Sequence, residues 1–234
     1  WKHTMETSAQ LDEILEKAKK DPLLKAYLDE EVVYGRKRYE LIKLAGLLHD
    51  IGKPKTLRIK KGKVTFHGHE RVGAEMAQAI AARLKLSNDE NRALRSMILA
   101  HLRPGFLSDA IPLTRRAKFR FFRDTASWAI AVLLISLADQ RATKGRLATP
   151  ESRLRHEKLV RTLRKAYFRA QKEKKIKRVL NGDDIMKYFK LAPSALIGEI
   201  LKALDESQGI GAIKTREHAL RLAGKIIKSV RPGN

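Results

Sequence analysis

The sequence predicts an all-α protein with at most one small β-hairpin. Three observations carry that reading. Apolar residues recur at helical spacing along most of the 234 residues. Helix starts are marked by a capping box at Ser87 and Glu90, and by Thr149-Pro150-Glu151, where a hydroxyl, a proline and an acid suit a first turn. Alternation with period two is confined to one stretch, residues 56–66, around a glycine turn.

In order along the chain, Met5, Leu11, Ile14 and Leu15 share one face of a helix over 4–20. Asp21-Pro22 breaks it, and a short helix or loop runs to Arg38. Tyr39 to Asp50 is a helix, stopped by Gly52 and Pro54. Residues 56–66 form a lysine-rich hairpin or extended loop. His67 opens a helix to about Leu84, and the next runs from Ser87 to near His101. Pro104, Gly105 and Pro112 mark a loop. Thr114 to Asp124 is a basic helix offering Phe119 and Phe122 to the core. Ser127 to Lys144 is the most apolar helix, and Gly145 ends it. Its run from Trp128 to Ala138 is shorter than the roughly 20 residues a bilayer requires. From Thr149 to Val179, Leu154, Val160, Leu163, Tyr167 and Ile176 make a thin stripe on a densely basic helix. Asn181-Gly182-Asp183 is a turn; two or three short helices follow, with breaks at Pro193 and Gly209–Gly211. The expected division is a helical domain over 1–148, a basic connecting helix over 149–180 and a small helical tail over 181–234.

Charge bounds the partners. Fifty Lys and Arg stand against 26 Asp and Glu, a formal charge of +24. Such a field favours an anionic partner, and nucleic acid is the usual one. A membrane surface fits less well, because the basic stretches lack a broad apolar face. There is no cysteine, which excludes disulfides, thiolate metal sites and thiol catalysis. With no signal-peptide pattern, a cytoplasmic location is expected. The chain starts at Trp1 in mid-helix by its pattern, and so reads as a piece of something longer.

The polar centre of the sequence is Leu44-Ala45-Gly46-Leu47-Leu48-His49-Asp50-Ile51-Gly52-Lys53-Pro54. Neighbours on a helix lie about 100° apart, so His49 and Asp50 can lean toward one point. A divalent cation suits that point, and imidazole with carboxylate favours zinc, iron, manganese or nickel over a soft metal. Lys53 is then a point charge fitted to phosphate. A helix terminus without metal satisfies the same two residues, so the pair needs company. His3, His69 and His101 lie beside amphipathic runs, and Asp139 closes the most apolar helix. Satisfied buried polar residues are the alternative reading of these. His67, His156 and His218 fall outside the set and are expected to face elsewhere, the last two into solvent.

Taken in order, His3, His49-Asp50, His69, His101 and Asp139 resemble the HD superfamily of metal-dependent phosphohydrolases, with Trp1-Lys2-His3-Thr4 and Ile135-Ser136-Leu137-Ala138-Asp139 as fitting contexts. The fold that resemblance implies is an HD-type helical bundle. Phe66-His67-Gly68-His69-Glu70, Gly73-Ala74-Glu75 and Leu137-Ala138-Asp139-Gln140-Arg141-Ala142 look like the HD region of bacterial tRNA nucleotidyltransferases and poly(A) polymerases. Asn181-Gly182-Asp183-Asp184-Ile185-Met186, Pro193 to Glu199 and Ile213 to Glu217 resemble the segment that closes those enzymes. The family's transferase head, with its glycine-serine turn and paired aspartates, has no counterpart here, so such a head would be a separate or covalently joined partner.

The resemblance implies one divalent ion held by His3, His49, Asp50 and Asp139, and a second held by Asp50, His69 and His101. The candidate ions are Mn, Ni, Co, Mg, Fe or Zn. Asp50 and Lys53 would be catalytic, with Lys53 and Arg103 on phosphate. Hydrolysis of phosphomonoesters and 2′,3′-cyclic phosphates on nucleotides or RNA ends is the activity implied, tRNA among the partners. A non-catalytic RNA-binding module serving a transferase head is the alternative. Cyclic-dinucleotide signalling fits worse, because the glycine-tyrosine-proline signature of that branch is missing.

Overall fold

The computed structural model describes residues 1–33, 35–110, 112–145, 148–172 and 178–230. Its elements are helices apart from two small antiparallel ladders. In chain order they are α1 (Lys2–Ala18), α2 (Pro22–Asp29), β1 (Glu31–Val33), β2 (Arg36–Lys37), α3 (Arg38–Leu48), α4 (Lys53–Thr56), β3 (Arg58–Lys60), β4 (Lys63–Thr65), α5 (His69–Arg83), α6 (Asn88–Ala100), α7 (Arg103–Asp109), α8 (Arg115–Thr125), α9 (Ala129–Ala142), α10 (Pro150–Lys172), α11 (Gly182–Phe189), α12 (Ala195–Gly209) and α13 (Arg216–Val230). The mostly helical class expected from periodicity is what forms. The hairpin over 56–66 is β3–β4, and β1–β2 adds a second, shorter ladder where a short helix or loop is expected.

The chain divides into two compact units: Trp1–Leu113 with Phe121–Lys172, and Thr114–Arg120 with the described part of Glu173–Asn234. The first is built around α9. Every residue from Ala129 to Ser136 is buried, as befits a helix that is apolar all round. Against it and one another lie α1, α3, α6, α7 and α10. Gly46 allows α1 close to α3, since a Cβ there would stand 2.4 Å from Leu11 Cδ2. The start of α3 is pinned by buried Arg38, whose guanidinium lies 4.5 Å from the Trp128 ring and 4.6 Å from the Tyr27 ring. It also pairs with Glu30 at 2.6 Å and donates to the Ser127 carbonyl at 2.9 Å. A buried guanidinium needs such partners, and the effect is to fix where α3 begins.

Four expectations need correcting here. The proline-marked loop is helix α7, with Pro104 in its first turn, the position where a missing N–H does no harm. On α8 the core phenylalanine is Phe121, fully buried, with Phe122 only partly covered. Leu154 is 62% exposed instead of joining the stripe of α10, while His156 is buried there with Leu159, Val160, Leu163 and Tyr167. Because α8, a 3₁₀ turn and α9 run on without a break, Arg115–Ala142 is long and apolar enough by length and composition to cross a membrane. It is mostly buried inside the fold, and a core helix passes the same test. The helix expected to reach Val179 is described as α10 only to Lys172; Arg178 and Val179 are not helical, and Ile176 lies outside the described residues.

The second unit has its own core of Leu180, Ile185, Ile197, Ile200, Leu204 and Ile213 with Ala219 and Ala223. A capping box formed by Asn181 and Asp184 starts α11. Glu206 on α12 binds Arg116 and Arg120, each at 2.8 Å.

Candidate metal centre

Helix ends build this site. His49 is the C-cap of α3, Asp50 follows in the turn, His69 opens α5 and His101 caps α6. His3 and Asp139 come from α1 and α9. A helix terminus frees a side chain from its own stripe, so five helices can aim at one volume. The turn after Asp50 presses on α5 because neither partner has a side chain there: a Cβ on Gly52 would meet His69 O at 2.2 Å and Gly73 N at 2.6 Å.

The six residues form two groups that share Asp50. In the first, His3 Nε2 stands 2.8 Å from Asp139 Oδ1 and 3.6 Å from Asp50 Oδ2. His49 Nε2 stands 3.2 Å from the same Asp50 Oδ2 and 3.7 Å from Asp139 Oδ1. In the second, Asp50 Oδ1 is 3.2 Å from His69 Nε2 and 3.8 Å from His101 Nε2. Donors held about 2.0–2.1 Å from one ion lie about 3 Å from each other, which is the spacing seen.

The imidazoles are set for metal by their outer nitrogens. Nδ1 of His49 donates to Gly46 O at 2.7 Å, that of His69 to Phe66 O at 2.8 Å and that of His101 to Ile98 O at 2.6 Å. A carbonyl can only accept, so each Nδ1 carries the proton and each Nε2 turns a lone pair inward. All three Nε2 atoms are buried without a hydrogen-bond partner. Lone pair therefore faces carboxylate oxygen, an arrangement that is repulsive until a cation lies between them.

A proton is one such cation. Burial pulls the His49 pKa down, but Asp139 and Asp50 outweigh it and hold the ring up at about 9. Burial and then the neighbouring His49 charge push His101 down to about 4. His69 is raised: burial opposes, and Asp50 and the Phe66 carbonyl prevail. Burial would raise both carboxyls, yet His49, His69 and Lys53 hold Asp50 far below its usual range, and His3 and His49 do the same for Asp139. Two ionised carboxylates, Asp50 buried and Asp139 partly so, with inward-facing imidazole nitrogens around them, fit a divalent ion that displaces the proton, and the all-N/O donor set fits Mn, Fe, Co, Ni, Zn or Mg.

Lys53 stands at the rim, a third exposed and bonded to Asp50. Arg103, expected to share the phosphate, instead engages Asp124 at 3.0 Å and stands 5.8 Å from the Phe121 ring. His67 and His218 are exposed, in line with expectation. His156 is not solvent-facing: its Nε2 meets Ser136 Oγ at 3.2 Å, in the layer between α9 and α10. Sequence reasoning also passes over buried Thr7, whose hydroxyl is 3.5 Å from His3 Nε2 one turn earlier; the i, i+4 spacing is its only signal.

Helical class and two His/Asp groups sharing one carboxylate define a module with the donors for divalent metal. Residues 1–144 match the HD domain family, and the chain belongs to it. Beyond the family, the chain is 29% identical over 181 residues to the A-adding tRNA nucleotidyltransferase of Deinococcus radiodurans, covering 76% of this chain and 40% of that protein. It is 31% identical over 180 residues to the CC-adding tRNA nucleotidyltransferase of Thermus thermophilus, covering 76% and 38%. The chain thus spans about two fifths of the length of the relatives it matches.

Proposed function

We propose that this chain is an HD-type phosphohydrolase that cleaves phosphomonoesters and opens 2′,3′-cyclic phosphates on nucleotides or RNA ends. One observation carries the reading: the two oxygens of Asp50 address separate histidine groups, the arrangement a bridging carboxylate needs. His3, His49, Asp50 and Asp139 would hold one ion, and Asp50, His69 and His101 a second. Such ions, when bound, supply Lewis acidity toward phosphoryl oxygens and raise the acidity of water. The chain's own groups do the rest. The three Nδ1–H donations to carbonyls lock the rings in their inward tautomer. Lys53, beside Asp50 but partly exposed, offers a cation to the phosphoryl group. A cytoplasmic location and an RNA partner, with tRNA first among the RNAs given the relatives' names, accompany this proposal. So do working boundaries at 1–148, 149–180 and 181–234.

The test is metal content, together with turnover of p-nitrophenyl phosphate and 2′,3′-cyclic AMP, across the six divalent ions. Changing Asp50→Ala is expected to remove bound metal and lower turnover by more than about 100-fold. Turnover that survives the change would refute the proposal. A second reading draws on the relatives, both named as transferases acting on tRNA and neither as a hydrolase: the domain holds RNA for a transferase head. It is supported if no ion elicits hydrolysis while RNA binds with steep salt dependence.

A further inference from the structure

Between Asp50 and Glu70 the chain carries six cations, Lys53, Lys55, Arg58, Lys60, Lys61 and Lys63, and no acid. Four of them sit on β3–β4 or its turn. Register pairs Arg58 with Thr65, Ile59 with Val64 and Lys60 with Lys63. Directly opposed residues share a face, so one face of the ribbon is cationic and the other apolar. Both faces are in water: Ile59 is 70% and Val64 50% exposed, and Arg58, Lys60 and Lys63 are exposed too. The hairpin therefore has no core to serve. Like charges set opposite each other destabilise a two-stranded ribbon that is marginal already. Among the described residues, the cation of this stretch that pairs with a carboxylate is Lys53, with Asp50.

We propose that the β3–β4 hairpin is a clamp for single-stranded RNA, gripping the strand whose end lies in the metal centre. The cations form one run that starts at Lys53, in contact with Asp50, and passes through Lys55 and Arg58 to the hairpin tip. Seven residues of chain keep Lys60 within about 25 Å of Lys53, a few nucleotides from the site. Phosphates neutralise the facing Lys60 and Lys63 on the cationic face, and a nucleotide turned over the ribbon's edge lays its unstacked base on the exposed Ile59–Val64 pair of the other face. An RNA duplex is a poorer match, because its bases are not free to reach that pair. This inference rests on the reading of the site given above, and the experiment keeps the two apart.

Lys60→Gln, Lys61→Asn and Lys63→Gln are combined in the full chain; asparagine tolerates the left-handed backbone of Lys61, φ 49°. Binding of a fluorescent 12-nucleotide RNA is followed by anisotropy from 0.05 to 0.3 M salt, with thermal melting to verify the fold. Loss of three phosphate contacts is expected to weaken binding roughly tenfold or more at the lowest salt and to flatten the log–log salt slope by about 2. Unchanged affinity and slope in a folded variant overturn the clamp. So does a variant that loses binding to phosphatidylserine vesicles while keeping RNA, which would make the ribbon a membrane contact. Failure of the unmodified chain to hydrolyse 2′,3′-cyclic AMP counts against the site reading alone, since the RNA measurement needs no turnover.

Discussion

Replacing Gly52 by alanine tests how the metal centre is held together without touching any ligand. The added methyl would stand 2.2 Å from His69 O and 2.6 Å from Gly73 N, where ordinary contact begins at 3.4 Å. Both obstacles are backbone, so no side chain can swing aside, and the turn after Asp50 must part from α5 by about 1 Å. Overpacking of this kind costs about 1–3 kcal/mol. For the first unit, about 165 residues, that lowers the melting point by about 2–12 °C. The shift falls between Asp50 and His69, now 3.2 Å apart at their nearest donors, and leaves the His3–His49–Asp139 side in place. On the two-ion reading proposed above, the variant loses one of two equivalents of bound cobalt or manganese, read by metal analysis after dialysis. Gly105→Ala, where a Cβ meets nothing within 4 Å, serves as the control. A Gly52→Ala protein with the parent's melting point and both metals would show that backbone contact does not set the site.

Two pH profiles follow from the buried histidines. Folded His49 titrates at about 9 against about 6.5 unfolded, so the folded state holds the extra proton between those values. With EDTA present, its contribution is complete below about pH 6.5 and falls by about 3 kcal/mol by pH 9. Melting points of the parent should drop across that window relative to His49→Gln, while metal affinity climbs as the ion displaces the proton; a flat difference contradicts this. His156 runs the opposite way. Burial lowers its pKa, so the unfolded chain takes the proton first, and its contribution is present above about pH 6.5 and lost as pH falls below. Urea midpoints at pH 7 and pH 5 should differ less in His156→Gln than in the parent, and equal differences would discount the buried ring.

Helix starts were legible where a cap announces them. Ser87 with Glu90 forms the reciprocal bonds its spacing suggests, and Thr149 accepts from Ser152 N–H at the start of α10, whereas Asn181, read as a turn, proves to cap α11. The six ordered His and Asp residues were legible as a set, and folding brings them into two adjoining groups. What escaped depends on approach between distant segments. Gly52 reads as a helix stop, yet its smallness serves Gly73 and His69. Phe119 and Phe121 are two residues apart on α8; Phe119 lies against the position of Gly209 in the second unit, while Phe121 fills the first core. A helix whose phenylalanines meet different partners has no single periodicity to read. His156 hides in a run of charges because its partner, Ser136, is a polar notch in an otherwise apolar helix.

His3 and Asp139, 136 positions apart in the chain, are joined by a 2.8 Å bond. Closing so long a span comes late on entropic grounds. A chain still being synthesised therefore lacks the first group until Asp139 has emerged and α9 has seated. The second group needs nothing beyond His101, so the two halves of the centre are completed at different stages of the chain's emergence.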